Sequence, residues 1–162
     1  MVAGDFEAEI DRLQARYIAA LDGKRMKDWL DTFSRREDSA YLCTSAENVA
    51  AKLPLALMLD DNRARLADRV VFIERIWAGT FQDYRTRHFL QRVSWEQTGE
   101  ARYAALTNFS VMFTPEEAGD TRPLVCGVYE DDLIVEDGQL RFLSKKAITD
   151  TIVLPRYLVY PV

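Results

Sequence analysis

Histidine and cysteine are scarce in this sequence. Its 162 residues include one histidine, His88, and two cysteines, Cys43 and Cys126, far apart along the chain. A Rieske-type cluster takes two cysteines and two histidines. A facial non-haem iron site takes two histidines and a carboxylate. A typical zinc site takes three or four Cys, His or carboxylate ligands at short local spacings. None of these can be assembled from this inventory within one chain. Both cysteines lie in apolar, strand-like runs, and a free cysteine behaves as a small hydrophobe, so they read as buried free thiols rather than a disulfide.

Glycine is thinly spread too. The seven glycines form no GxGxxG and no GxxxxGK[ST] phosphate cradle, and there is no GxSxG nucleophile elbow. No apolar run approaches the ~20 residues of a membrane-spanning helix. The N-terminal stretch carries Asp5, Glu7, Glu9 and Asp11 with no apolar signal core. A concentrated basic face is missing as well, since 21 basic residues stand against 26 acidic ones and the net charge is -5. The densest basic stretch, Arg63, Arg65 and Arg69, is interleaved with Asp60, Asp61 and Asp68 and reads as a solvated helix face. Nucleic-acid binding, which needs phosphate neutralisation, is disfavoured. The expectation is a soluble, cytoplasmic protein without membrane or nucleic-acid partners.

Apolar residues make up 48% and charged residues 29%, the balance of a folded globular domain. The length suits one domain over residues 1–162. Phe6, Ile10, Leu13, Tyr17 and Leu21 recur at helical spacing, with Asp5 placed to cap the start and Asp22-Gly23 to stop it. Met26, Trp29, Leu30 and Phe33 mark a second short helix. Residues 40–43 form a strand candidate, and 53–59 an apolar run broken by Pro54, either an edge strand or an irregular crossing. Asp60 or Asp61 is placed to cap a third helix bearing Leu66, Val70, Ile73 and Trp77.

From about residue 87 the period changes to two. Residues 88–95 read as a strand, and in 102–114 the set Tyr103, Ala105, Thr107, Phe109, Val111 and Phe113 shares one face. Residues 123–135 and 140–148 follow as strands joined through Glu136-Asp137-Gly138-Gln139, a strong hairpin signal. Helices first and a strand meander afterwards predict an α+β fold. In it, a curved mixed or antiparallel sheet wraps the helices into a cone with an open mouth.

The residues that could carry chemistry are few. His88 follows Arg85 and Arg87 at the head of a strand. It reads as a structural histidine at a sheet edge or subunit contact, with a general acid–base role as the alternative. Glu130, Asp131 and Asp132 read as the solvated end of a strand. The apolar ending, with Tyr157 and Tyr160 among residues 152–162, must dock on its own fold or be covered by another chain.

Several segments together resemble the small, or β, subunits of aromatic-ring-hydroxylating oxygenases, especially those acting on salicylate, terephthalate or similar benzoates. They are the Trp-x-x-x-Phe of Trp29 and Phe33, Leu53-Pro54-Leu55 leading to Asp68-Arg69-Val70, the Arg-x-Arg-His of Arg85 to His88, and the ending with Leu154-Pro155-Arg156 and Tyr160-Pro161-Val162. Gln91-Arg92-Val93 departs from the pattern, since many relatives carry smaller residues there. The resemblance implies the nuclear-transport-factor-like cone, shared with ketosteroid isomerase and scytalone dehydratase. It implies a structural, non-catalytic chain with no catalytic, cofactor-binding or metal residues of its own. Three such subunits would assemble with three catalytic α subunits, which carry the Rieske iron–sulfur cluster and the mononuclear iron and draw electrons from NADH. Arg85, Arg87, His88, Tyr157 and Tyr160 are then the candidate subunit-contact residues. The alternative is a free-standing isomerase, dehydratase or cyclase on the same cone, using His88 or a buried carboxylate.

Overall fold

The structure, a computed structural model, describes residues 3–117 and 119–162, with side chains from Phe6 onward. The expected cap by the Asp5 side chain lies outside that range. Helix α1 (Ala3–Asp22) buries the stripe read from the sequence, Phe6, Ile10, Leu13, Tyr17 and Leu21. It stops where expected, but the residue in the left-handed region is Lys24, at φ 54°, with Gly23 N–H still bonded back to the Ala19 carbonyl. A short α2 (Met26–Asp31) turns Met26 and Trp29 into the core, and Phe33 follows directly behind it.

Strand β1 (Ala40–Ser45) leads into α3 (Ala46–Ala50), whose first turn is capped by Ser45. The Pro54 segment crosses irregularly, and only Met58–Asp60 pairs, as the short edge strand β2. The next helix, α4 (Arg63–Val71), continues into a π-helical turn over Phe72–Ile76. Its cap is Asn62, which accepts from the Arg65 N–H, and not Asp60 or Asp61. Asp60 ends β2 with its side chain nearly sealed, gripped by two Arg69 nitrogens at 3.0 Å each. A carboxylate held there cannot also cap.

Four long strands follow: β3 (Tyr84–Gly99), β4 (Arg102–Pro115), β5 (Arg122–Glu136) and β6 (Gln139–Thr149). They pair antiparallel in sequence, and the β5–β6 turn carries Asp137 and Gly138 at φ 51° and 74°, as a tight primed turn requires. The sheet of six strands runs β2-β1-β6-β5-β4-β3, with β1 parallel to β6. Bulges in β3, between β4 and β5, and at Asp132/Leu133 add twist. The result is a curved, unclosed sheet with helices on its concave side, as the α+β reading anticipated. On β4 the inward residues Ala105, Thr107, Phe109, Val111 and Phe113 are all buried.

Candidate functional site

The inner face of the hairpin β5–β6 carries two charges where apolar residues are expected. Asp131 and Lys145 are register partners, and both side chains are wholly shielded from solvent. The Lys145 ammonium donates to both Asp131 oxygens, at 2.9 and 3.1 Å, and to Gln14 Oε1 from α1 at 3.2 Å. Gln14 Nε2 returns a bond to Asp131 at 2.5 Å and reaches Thr107 at 3.3 Å. Three rings surround the ammonium, with centroids 3.7 Å (Tyr129), 4.2 Å (Phe142) and 4.6 Å (Tyr17) away. Burial pushes Lys145 down to about 8, against the pull of Asp131, and raises the Asp131 carboxyl despite Lys145 and Gln14. Asp131 is therefore no solvated strand end. It is a core carboxylate whose three hydrogen bonds come from Lys145 and Gln14.

A second polar group joins the end of α1 to β3. Asp22 accepts from His88 Nδ1 at 2.6 Å, from the His88 backbone N–H at 3.1 Å and from the Thr86 hydroxyl at 2.8 Å. Burial would raise the Asp22 pKa, but the His88 ring and the other donors outweigh it and hold the carboxyl below its ordinary value. His88 is buried, and its Nε2 has no partner among the described residues.

The sequence groups Arg85, Arg87 and His88, and the structure separates them. Strand alternation turns His88 inward and both arginines outward onto the exposed face. Tyr157 and Tyr160 part in the same way. Tyr157 is 63% exposed, whereas Tyr160 is buried, with its hydroxyl on Asp83 at 3.1 Å and its ring against Phe81 and Tyr84. The two thiols also part. Cys43 is buried, and burial pushes its pKa up to about 12. Cys126, expected inside, is exposed, because the phase that buries Val125 turns its neighbour outward. Among the described residues, no three His, Cys, Asp or Glu side chains are grouped so as to hold a metal ion. No helix there is long and apolar enough to cross a membrane.

The isomerase-like alternative needs an acid–base group free to meet a substrate. Both candidates, His88 and Asp131, are tied to neighbours inside a packed core, so that reading is not favoured.

The curated relatives of this chain are small subunits of ring-hydroxylating dioxygenases. The chain is 28% identical to the anthranilate 1,2-dioxygenase small subunit of Burkholderia cepacia, over 95% of this chain and 92% of the relative. It is 26% identical to a β subunit of the terminal oxygenase component of terephthalate 1,2-dioxygenase from Comamonas, over 96% and 97%. Among solved structures, the β subunit assigned to an aromatic-ring-hydroxylating dioxygenase of Novosphingobium aromaticivorans superposes with a TM-score of 0.86 at 29% identity, covering 100% of both chains. The benzoate 1,2-dioxygenase β subunit of Burkholderia mallei, 20% identical, shares the fold at a TM-score of 0.73, covering 93% of this chain and 96% of that one. The family model for the ring hydroxylating beta subunit matches residues 16–156, and the chain belongs to that family.

Proposed function

We propose that this chain is the structural, non-catalytic β subunit of a cytoplasmic oxygenase that hydroxylates an aromatic carboxylic acid. In this reading it holds iron-bearing α subunits in a three-plus-three assembly. The observation that carries the proposal is the end-to-end similarity to small subunits whose oxygenases act on anthranilate and terephthalate, both aromatic carboxylates. The donor set agrees with a supporting role. Its one histidine is held at Nδ1 by Asp22, and Cys43 is kept a neutral thiol by burial. The residues present do not fit a Rieske cluster or a mononuclear iron, which are assigned to the α partner.

The subunit contact is assigned to the outward side of β3, where Arg85 and Arg87 are exposed beside Phe89, itself 57% exposed, with exposed Tyr157 as a further contact. Guanidiniums there suit carboxylates on the partner. His88 and Tyr160 act from behind, by fixing β3 and the C-terminal segment that present these groups. Losing a charged contact buried at an interface costs about 2–5 kcal/mol. Co-expression with an α subunit, followed by size-exclusion chromatography with light scattering, tests both levels. The intact chain is expected to co-elute with α, and the chain carrying Arg85→Ala and Arg87→Ala to elute alone. Undiminished assembly of the double variant rejects the contact surface, and failure of the intact chain to join any α subunit rejects the role.

A further inference from the structure

Residues 150–162, which form neither helix nor strand, make a strap whose Leu154-Pro155-Arg156 motif the proposed role leaves unused. The Arg156 guanidinium carbon lies 3.8 Å from the Tyr84 ring centre, 5.5 Å from that of Tyr157 and 5.9 Å from that of Phe113. A guanidinium carries five N–H donors. Here Nη2 donates to the Gln82 carbonyl at 2.8 Å, while the buried Nε has no partner among the described residues. Buried polar groups ordinarily find one.

Arg156 lines an open groove of about 840 Å³, walled by Phe81, Phe113, Pro115, Pro155 and Tyr157. The other charges in the groove are already engaged. Asp83 is held by Lys24 at 2.5 Å and by the Tyr160 hydroxyl at 3.1 Å. Glu116 lies 4.0 Å from the same Lys24, and Gln82 donates to Glu117 at 3.0 Å. Arg122 pairs with Asp120 at 3.2 Å. Among the described residues, Arg156 is thus the one charge lining the groove with neither a counterion nor a side-chain hydrogen bond. A guanidinium stacked on rings, with N–H groups to spare, suits a carboxylate held bidentately. The groove is also continuous with the flank of β3, since Pro115 and Glu116 line both it and the hollow beside Arg85.

We infer that this groove seats an extended segment of the α subunit, with an aspartate or glutamate of that segment on Arg156 and an apolar neighbour against Phe81, Phe113 and Tyr157. The inference rests on the β-subunit reading and names the part of the partner that the outward face receives. A second copy of this chain fits less well, because the groove opens onto the flank assigned to α. Packed arginine and tyrosine are the side chains that most often dominate such contacts.

The test turns on charge at Tyr157, which is 63% exposed and 5.5 Å from the Arg156 guanidinium. Tyr157→Glu gives Arg156 a carboxylate of its own, and Tyr157→Lys removes the same ring but adds a cation. Each variant, its folding checked by circular dichroism, is co-purified with an α subunit, and dissociation on dilution is followed by light scattering. The Glu variant is expected to hold α at least about ten-fold more weakly than the Lys variant, with the gap narrowing as salt rises. Equal weakening by both variants would show a ring contact without a carboxylate and overturns the inference, as does no effect of either. A difference in mass between the two isolated variants would put a second copy in the groove, which overturns it as well. All three results leave the β-subunit reading standing. Failure of the intact chain to join any α subunit is the separate result that removes that reading, and this inference with it.

Discussion

Lys145 and Asp131 face each other across β5 and β6 with no solvent access to either side chain. Both are shifted toward their neutral forms, Lys145 down to about 8 and Asp131 upward, and burial is the first cause of each. Desolvation therefore outweighs the attraction, and the pair does not stabilise the fold as an apolar pair of the same shape would. Lys145→Met alone leaves the carboxylate buried without its cation and is expected to cost about 3–5 kcal/mol. Lys145→Met together with Asp131→Leu is expected to recover wild-type stability or exceed it by about 1–4 kcal/mol in urea titrations. Equal losses in the single and double variants would sink this account. The pH dependence has a definite sign. Unfolded lysine titrates near 10.4, so above pH 8 the unfolded chain holds a proton that the folded chain has released, and stability rises with pH. The rise is checked from about pH 8.5, where Cys43, held up to about 12 by burial, keeps a proton that an unfolded cysteine loses, and above about pH 10 Tyr17, Tyr41 and Tyr129, also raised by burial, turn the slope downward. The double variant should lose the rise that begins at about pH 8 and show only the fall.

At the scale of elements, the β5–β6 hairpin tolerates no side chain at one point. A Cβ added to Gly127 would sit 2.0 Å from the Ile148 carbonyl oxygen, a backbone atom that cannot swing away. Gly127→Ala must push the strands apart, and a loss of at least about 1–3 kcal/mol is expected. An unchanged urea midpoint would show that the hairpin yields at no cost. The same hairpin marks how far the sequence could be read. Its turn was legible from Asp137-Gly138, as were α1 from its apolar stripe and β4 from its alternation. Counting back from Glu136↔Gln139 pairs Asp131 with Ser144. The bulge at Asp132/Leu133 shifts the register by one and brings Lys145 opposite instead. Asp131 shares its alternation phase with buried Tyr129 and Leu133, a sign that it points inward, but three consecutive acids masked it. The Asp22–His88 bond was hidden for another reason. It joins residues 66 positions apart, and nothing local sets which helix end meets which strand. Arg85 and Arg87 were separable from His88 by period two alone, once β3 is seen to begin at Tyr84.

The whole molecule divides its labour between two faces. The concave side packs α1, α2 and the C-terminal strap onto rings and internally paired charges, while the outward side of β3 offers cations and an exposed aromatic ring. A metal would have to find donors in one of these settings. His88 presents Nδ1 to Asp22 and keeps Nε2 buried in the core, so ligation would require opening the α1–β3 junction. Cys43 is held as a neutral thiol, its pKa pushed up to about 12, whereas a metal ligand must be a thiolate. Cys126 lies exposed beside Asp150, and burial together with that carboxylate raises its pKa as well. Isolated protein equilibrated anaerobically with ferrous iron and then dialysed is therefore expected to retain far less than one equivalent by elemental analysis. Asp22→Asn, which loosens the His88 ring without adding a ligand set, should not raise that figure. Retention of a full equivalent by the intact isolated chain would show a donor set that neither face displays, and the supporting role argued from these residues would fail with it.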